Sequence, residues 1–192
     1  MVHLRDAFTD ALAIQAETLA YKLAAGDLTL QQWTEQQRAL IRTAYVDQYV
    51  MGRGGRQQMT QADWGTVGQK VRAQYQYLDG FAKDLAAGKM TPQGAAARAK
   101  LYTASATAAF ETGKAGSYGL RLPAYPADGS TPCKVSCRCH WRIEDGDSVW
   151  NCFWVLGARD ERNCNVCPDR AARWAPYVAT KQRHERLRAV VR

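Results

Sequence analysis

The spacing of hydrophobic residues divides the chain, at about residue 113, into a helical part and a part of mixed structure. The first apolar positions recur at intervals of four and seven, as they do along one face of a helix. They are Leu4, Phe8, Leu12, Leu19 and Leu23. Similar patterns predict three more helices, from an N-cap at Thr29 to Gly52, from Val67 to Leu85, and from Pro92 to Gly113.

A weak internal repeat runs through these helices. The stretch LAAGDLT at residues 23–29 returns as LAAGKMT at residues 85–91, and in both copies a glycine ends one helix and a threonine begins the next. We interpret the repeat as a duplicated helix hairpin and residues 1–115 as an antiparallel helical bundle. A chance recurrence of a common helix ending is the alternative.

The pattern changes after the fourth helix. Gly, Pro and Ser are dense around residues 116–131, which predicts an extended linker. VSCRCHWRI and SVWNCFWVL then alternate like strands, and the EDGD between them suits a hairpin turn. Residues 132–178 are predicted as a cysteine-rich hairpin module with a short helix from Pro168, and residues 179–192 as a basic helix or tail. The expected fold class is α+β and mainly α.

Composition and charge narrow the classes of function. The 192 residues are 46% hydrophobic and 23% charged, as in ordinary globular proteins. Residues 1–6 show no leader pattern, and no apolar run approaches the about eighteen residues that span a bilayer, so we expect synthesis in the cytosol and no membrane partner. The net charge of +8 favours contact with a polyanion or an acidic protein surface.

Five of the six cysteines lie in two short stretches, CKVSCRCH at 133–140 and NCNVCP at 163–168. In a reducing compartment such clusters are more often metal ligands than disulfides. A module of about fifty residues rarely buries enough apolar surface to fold without a metal or a disulfide. A structural Zn²⁺ held by four cysteines is the expected solution, and a disulfide framework is the alternative.

The candidate ligands follow from the spacing. Cys164 and Cys167 form a Cys-x-x-Cys half-site, while Cys137 and Cys139, two apart on a strand, point to one face. These four are the predicted ligands, with Cys133 as the first replacement. His140 is a further competitor, and Cys152 is expected to be buried packing.

Catalytic chemistry is not indicated. The chain has only three histidines, and His184-Glu185 lacks the second histidine of a zincin helix because position 188 is Arg188. The zinc-deaminase order of motifs is also absent. The tryptophans beside the cysteines are interpreted as the core of the small module. We therefore expect a protein that is not an enzyme.

The C-terminal third resembles a known family. Its features are Leu122-Pro123 with Gly129, the run from Cys133 to Trp141, and Cys164-x-x-Cys167 followed by Arg170-Ala171 and Trp174-Ala175-Pro176. Together they resemble the cysteine-containing end of tailed-phage minor head proteins, the head morphogenesis proteins related to the Mu-type F protein. The likeness covers about sixty residues.

The resemblance implies a non-enzymatic component of the virion head or neck, made in the host cytoplasm, which acts near the portal during head assembly. Its expected partners are the portal and the major capsid protein, with packaged DNA as a candidate for the basic tail; whether it is oligomeric in the virion is left open. The alternative function is a small zinc-containing regulator that binds nucleic acid through the same tail.

Overall fold

The chain is mainly helical and carries one small antiparallel sheet. The computed structural model describes residues 2–157 and 164–181. The helices are α1 (Val2–Ala25), α2 (Leu30–Arg53), α3 (Gln61–Ala86), α4 (Pro92–Ala104), α5 (Thr107–Ser117) and α6 (Val166–Arg173). The strands are β1 (His140–Asp145), β2 (Val149–Val155) and β3 (Tyr177–Thr180), and short 3₁₀ turns occupy Arg56–Gln58 and Lys134–Ser136. None of the helices described is long and apolar enough to cross a membrane.

The helix ends within the repeat lie where the sequence predicts them. Gly26 and Gly88 follow α1 and α3 with φ of 82° and 64°, in the left-handed region that favours glycine. The Thr29 hydroxyl accepts the backbone N–H of Gln32 at 3.2 Å, and the Gln32 side chain accepts the N–H of Thr29 in return. Thr91 caps α4 through its hydroxyl alone. Both copies therefore stop one helix and start the next by the same local chemistry.

The two copies also pack as equivalents in space. Helix α1 packs on α4, as α3 packs on α2. Arg38 pairs with Asp79 at 2.7 Å, and Lys100 pairs with Glu17 at 3.1 Å. Lys100 is the equivalent of Arg38 and Asp79 is the equivalent of Glu17, each 62 positions later, so the two ion pairs are exchanged as a pseudo-two-fold axis requires. This geometry supports the interpretation of a duplicated hairpin.

Close approach of α2 and α5 depends on glycine. Gln37 of α2 donates to the backbone oxygen of Ala99, its equivalent 62 residues later, at 3.2 Å. Further along, a Cβ on Gly52 would lie 2.1 Å from a backbone oxygen of α5, and one on Gly113 would lie 2.4 Å from the backbone oxygen of Tyr49. The two helices therefore touch through their backbones, which only glycine permits.

The buried face of α1 differs from the predicted one. Leu4 is 59% exposed, whereas Arg5 and Thr9 are fully buried and continue a face with Leu12 and Ala16. The predicted face is one residue out of phase at its start because Arg5 and Thr9 find polar partners inside the protein. A pattern of apolar residues alone does not identify polar residues that are buried.

The predicted fourth helix is two helices. The chain bends at Ser105, whose hydroxyl donates to the backbone oxygen of Tyr102 and accepts from the Tyr45 hydroxyl. A serine that bonds its own helix backbone competes with the helical ladder. Helix α5 then runs to Ser117. The linker therefore begins at residue 118, two residues after its predicted start at residue 116.

The sheet has the order β1-β2-β3. The predicted hairpin is present, with Trp141 opposite Trp154 in the register of β1 and β2. Strand β3 was not predicted: it pairs with β2 and crosses the boundary placed between residues 178 and 179. A four-residue strand is too short to show a period. The remainder of the predicted basic tail, residues 182–192, lies outside the described residues.

A second core lies under the sheet, as expected from its aromatic residues. Trp141 and Trp154 are buried and meet edge to face, and Trp174 packs against both. The Trp141 indole donates to the backbone oxygen of Ala124 at 2.9 Å. The segment after α5 is thereby held against the sheet, and the prediction that these tryptophans form the core of the module is confirmed.

Candidate metal centre

The cysteines come to the centre from two segments that flank the hairpin. Cys133 precedes the 3₁₀ turn, and Cys137 and Cys139 lie in the extended segment between that turn and β1. Cys164 directly precedes α6, and Cys167 lies in its first turn. Cys137 and Cys139 are thus not on a strand, since β1 begins only at His140, but the extended backbone still brings both thiols to the cluster.

The five sulfur atoms form two trios that share Cys167. One is Cys133, Cys164 and Cys167, and the other is Cys137, Cys139 and Cys167; within each trio the sulfurs lie within 4.8 Å of one another. The Sγ–Sγ distances include 3.4 Å from Cys164 to Cys167, 3.5 Å from Cys133 to Cys164, 3.9 Å from Cys137 to Cys167 and 4.0 Å from Cys133 to Cys167. Four sulfurs at 2.3 Å from a tetrahedral zinc stand about 3.8 Å apart. These distances are close to those between ligands of one ion, whereas bonded sulfurs lie about 2 Å apart.

The distances make Cys167 the centre of the cluster. Cys167 belongs to both trios, whereas Cys133 and Cys164 belong only to the first, and Cys137 and Cys139 only to the second. All five predicted ligands therefore come together. Cys133, the predicted replacement, lies directly before the 3₁₀ turn at Lys134–Ser136 and meets Cys164 across the cluster.

Most of the clustered thiols resist ionisation unless a cation is present. Burial raises the pKa of Cys133 to about 11 and also raises that of Cys167. The hydrogen bond with Cys139, then burial, raises the pKa of Cys137. At Cys164 burial acts in the same direction, but hydrogen bonds from Cys133 and Cys167 outweigh it and lower the pKa to about 7. A divalent ion supplies the positive charge that favours the thiolate forms.

A buried polar network fastens the centre to the helices. Arg5 of α1 donates to the Glu111 carboxylate at 2.8 Å, and to the backbone oxygens of Cys139 and Arg138 at 3.2 Å each. The side chains of Arg5 and Glu111 are fully buried. Glu111 accepts the backbone N–H of Trp141 at 3.0 Å. Two helices therefore hold the backbone on both sides of His140.

The sequence reading missed this network. Arg5 and Glu111 were not candidates, because a single charge in an amphipathic helix is more often solvated. One signal was available in the sequence. Arg5 and Thr9 continue the spacing of Leu12, Ala16 and Ala20 along α1, and this spacing places the charge of Arg5 on the buried face of the helix.

Two other candidates lie outside the cluster. Cys152 is fully buried in the core of the sheet, as predicted. His140 belongs to neither trio of sulfurs, and its buried Nδ1 has no hydrogen-bond partner among the described residues. Burial, followed by the charges of Lys114 and Arg5, lowers the pKa of His140 to about 4, so the imidazole is neutral at pH 7.

Comparison of the chain with protein-family models, with curated proteins and with solved structures found no match.

Proposed function

We propose that the chain is a non-enzymatic component of a tailed-phage head that acts near the portal during head morphogenesis, and that its cysteine cluster holds one structural zinc ion. The observation that carries the proposal is the meeting of five thiols between the two flanks of a tryptophan-rich hairpin. The resemblance of these cysteines and tryptophans to minor head proteins supplies the phage context.

Zinc is the metal that this donor set suits. Thiolates select soft or borderline ions, and a tetrahedral set of four sulfurs is typical of structural zinc. The candidate ligands come from residues 133–139 and 164–167, so the ion closes the segment that contains the hairpin. It stabilises a module that is too small to rely on its apolar core alone.

The same donor set argues against catalysis at the metal. A hydrolytic zinc keeps one coordination position for water or substrate, whereas four cysteines fill the sphere. Cys137, Cys139 and Cys167 are at most 3% exposed, so this side of the centre is also shielded from solvent, whereas Cys133 and Cys164 are half-buried. The role that remains for the ion is to fix the shape of the module.

A fixed shape suits a docking component. The network of Arg5 and Glu111 joins the module to α1 and α5, so a surface on the helices and a surface on the module keep a constant relation. The portal and the major capsid protein are the proposed partners, with packaged DNA as a candidate for the basic C-terminal residues.

The zinc site is tested by elemental analysis of protein purified under reducing conditions. We expect one zinc per chain, lost in Cys167→Ser and retained in Cys152→Ser, because Cys167 belongs to both trios while Cys152 lies in the apolar core. Protein that is folded without metal, or whose clustered cysteines are bonded in pairs, would overturn the zinc assignment.

The phage role is tested on particles. Antibodies against the chain should label gradient-purified heads from a culture of the producing phage, and deletion of its coding sequence should lower the yield of DNA-filled heads. Complementation by the wild-type chain but not by Cys167→Ser would tie the role to the metal centre. If the chain is absent from heads and instead binds DNA with an affinity that falls steeply with salt, the regulator alternative replaces the proposal.

A further inference from the structure

An apolar groove lies at the end of the helices that is remote from the cysteines. It is formed by the last turns of α1 and α3 and the first turns of α2 and α4, and encloses about 320 Å³. Leu23 of this groove lies eighteen residues along α1 from Arg5, which places the groove about 27 Å from the metal module along that helix. The groove is therefore independent of the metal centre.

The pseudo-two-fold axis of the duplicated hairpin passes through this groove. Six of its ten lining residues form pairs separated by 62 positions, one member from each copy of the repeat. These pairs are Leu23 with Leu85, Ala24 with Ala86, and Leu30 with Pro92. At these positions the two halves of the groove are alike in apolar character.

The charged residues beside the groove differ in sign between the two halves. Asp27 lies in the turn of the first copy, and its equivalent in the second copy is Lys89. Lys22 and its equivalent Asp84 are also opposite in sign. Asp27 and Lys89 are both exposed. Lys89 lies 3.5 Å from Asp84, but its side chain is still 67% exposed. At each of these two pairs of equivalent positions, the residue beside one half of the groove is opposite in charge to the residue beside the other half.

We propose that the groove is a self-association surface that takes the same groove of a second copy of this chain. A two-fold axis perpendicular to the pseudo-axis sets each half of one groove against the opposite half of the other. Asp27 then faces Lys89 of the second copy, and the symmetry makes this contact twice. The apolar linings meet in the centre, with the charges around them.

The charge pattern also selects this arrangement over its alternative. If equivalent halves met, Asp27 would face Asp27 and Lys89 would face Lys89, and both contacts would repel. A surface with one sign of charge would suit a partner of the opposite sign, whereas a surface that is its own complement suits a copy of itself. The inference does not depend on the phage role or on the metal.

The test is sedimentation equilibrium of the full zinc-loaded chain and of charge variants. We expect a concentration-dependent dimer for the wild type. Asp27→Lys and Lys89→Asp should each weaken it about tenfold, because each substitution creates the like-charge contact twice. An equimolar mixture of the two variants should form a mixed dimer of wild-type strength, since one chain is then positive at both positions and the other negative at both.

Asp47→Lys and Arg72→Glu are matched controls, because they make the same kinds of charge change at exposed helical positions outside the groove lining. Circular dichroism of every variant checks that the helices are intact. A chain that stays monomeric at the highest concentration reached overturns the proposal, as does a dimer that the single variants leave unchanged. Failure of the mixture to restore association does so too, and would indicate a different occupant such as a foreign apolar peptide.

Discussion

Replacing Arg5 with methionine removes the charge that joins the metal module to the helices. Methionine keeps much of the length and apolar stem of arginine, so the cavity left behind is small. The lost hydrogen bonds run to the Glu111 carboxylate and to the backbone oxygens of Arg138 and Cys139. The carboxylate then remains in the interior without its guanidinium partner.

The expected cost follows from the burial of this pair. Both side chains have no exposed surface, and breaking a buried pair from one side destabilises a protein by about 3–5 kcal/mol. In a chain of this size that loss lowers the melting temperature by about 6–20 °C. Burial raises the pKa of Glu111, against the charges of Lys114 and Arg5. Without Arg5 the carboxyl gains stability by binding a proton, so the deficit should shrink as the pH falls toward its folded pKa.

Urea unfolding of the zinc-loaded chain, followed by tryptophan fluorescence at two pH values, measures the loss. Arg38→Met is the matched control: Arg38 also pairs with a carboxylate, at 2.7 Å, but both side chains are about half exposed, so its loss should cost at most about 1 kcal/mol. In the double variant Arg5→Met/Glu111→Gln the unpaired carboxylate is gone, although Lys114 loses its carboxylate neighbour, and the variant should recover about 0.5–3 kcal/mol relative to the sum of the single changes.

Equal costs for Arg5→Met and Arg38→Met would refute the reasoning, because burial would then make no difference to the worth of the pair. A deficit at Arg5 that grows on acidification would refute the account of Glu111, since a stranded carboxylate is relieved by a proton. Both outcomes are read from the same unfolding curves.

Three further predictions concern the helices and the metal. Gly113→Ala should destabilise the chain by at least about 1–3 kcal/mol in thermal unfolding, because its Cβ meets the Tyr49 backbone oxygen at 2.4 Å, whereas Gly68→Ala, in open space on α3, should stabilise it by about 0.5–1 kcal/mol. Thr91→Ala should cost about 1 kcal/mol in the same assay, since the hydroxyl caps α4 at the Gly94 N–H; an unchanged midpoint would mean that water replaces the cap. Removal of metal by a chelator should expose residues 116–181 to limited proteolysis before the helices are cut, and cleavage that starts in α1–α4 would contradict a stabilising role for the ion.

The sequence predicted those parts of the fold in which local chemistry and periodicity agree. Helix ends at Gly26 and Gly88 and starts at Thr29 and Thr91 were correct, because each depends on a few neighbouring residues. The bend at Ser105 was missed, because it depends on a hydrogen bond from Tyr45, sixty residues away.

The candidate site shows the same division. Spacing alone identified all five clustered cysteines, since ligand motifs are local in sequence. It did not show that the thiols form two trios around Cys167, because that arrangement depends on a 3₁₀ turn and on where α6 lies. Arg5 and Glu111 were out of reach, because 106 residues separate them and neither belongs to a motif.

The bond from Arg5 to the backbone at Cys139 spans 134 positions of the chain, which has a consequence for biosynthesis. Helix α1 is made before the residues that accept its buried hydrogen bonds, which lie at Glu111, Arg138 and Cys139. Until residue 139 has been added, the Arg5 charge lacks some of its partners. Long-range contacts of this kind slow folding and prolong the exposure of incompletely packed surfaces. A chain truncated before residue 139 should therefore be cut by proteases faster than the full chain.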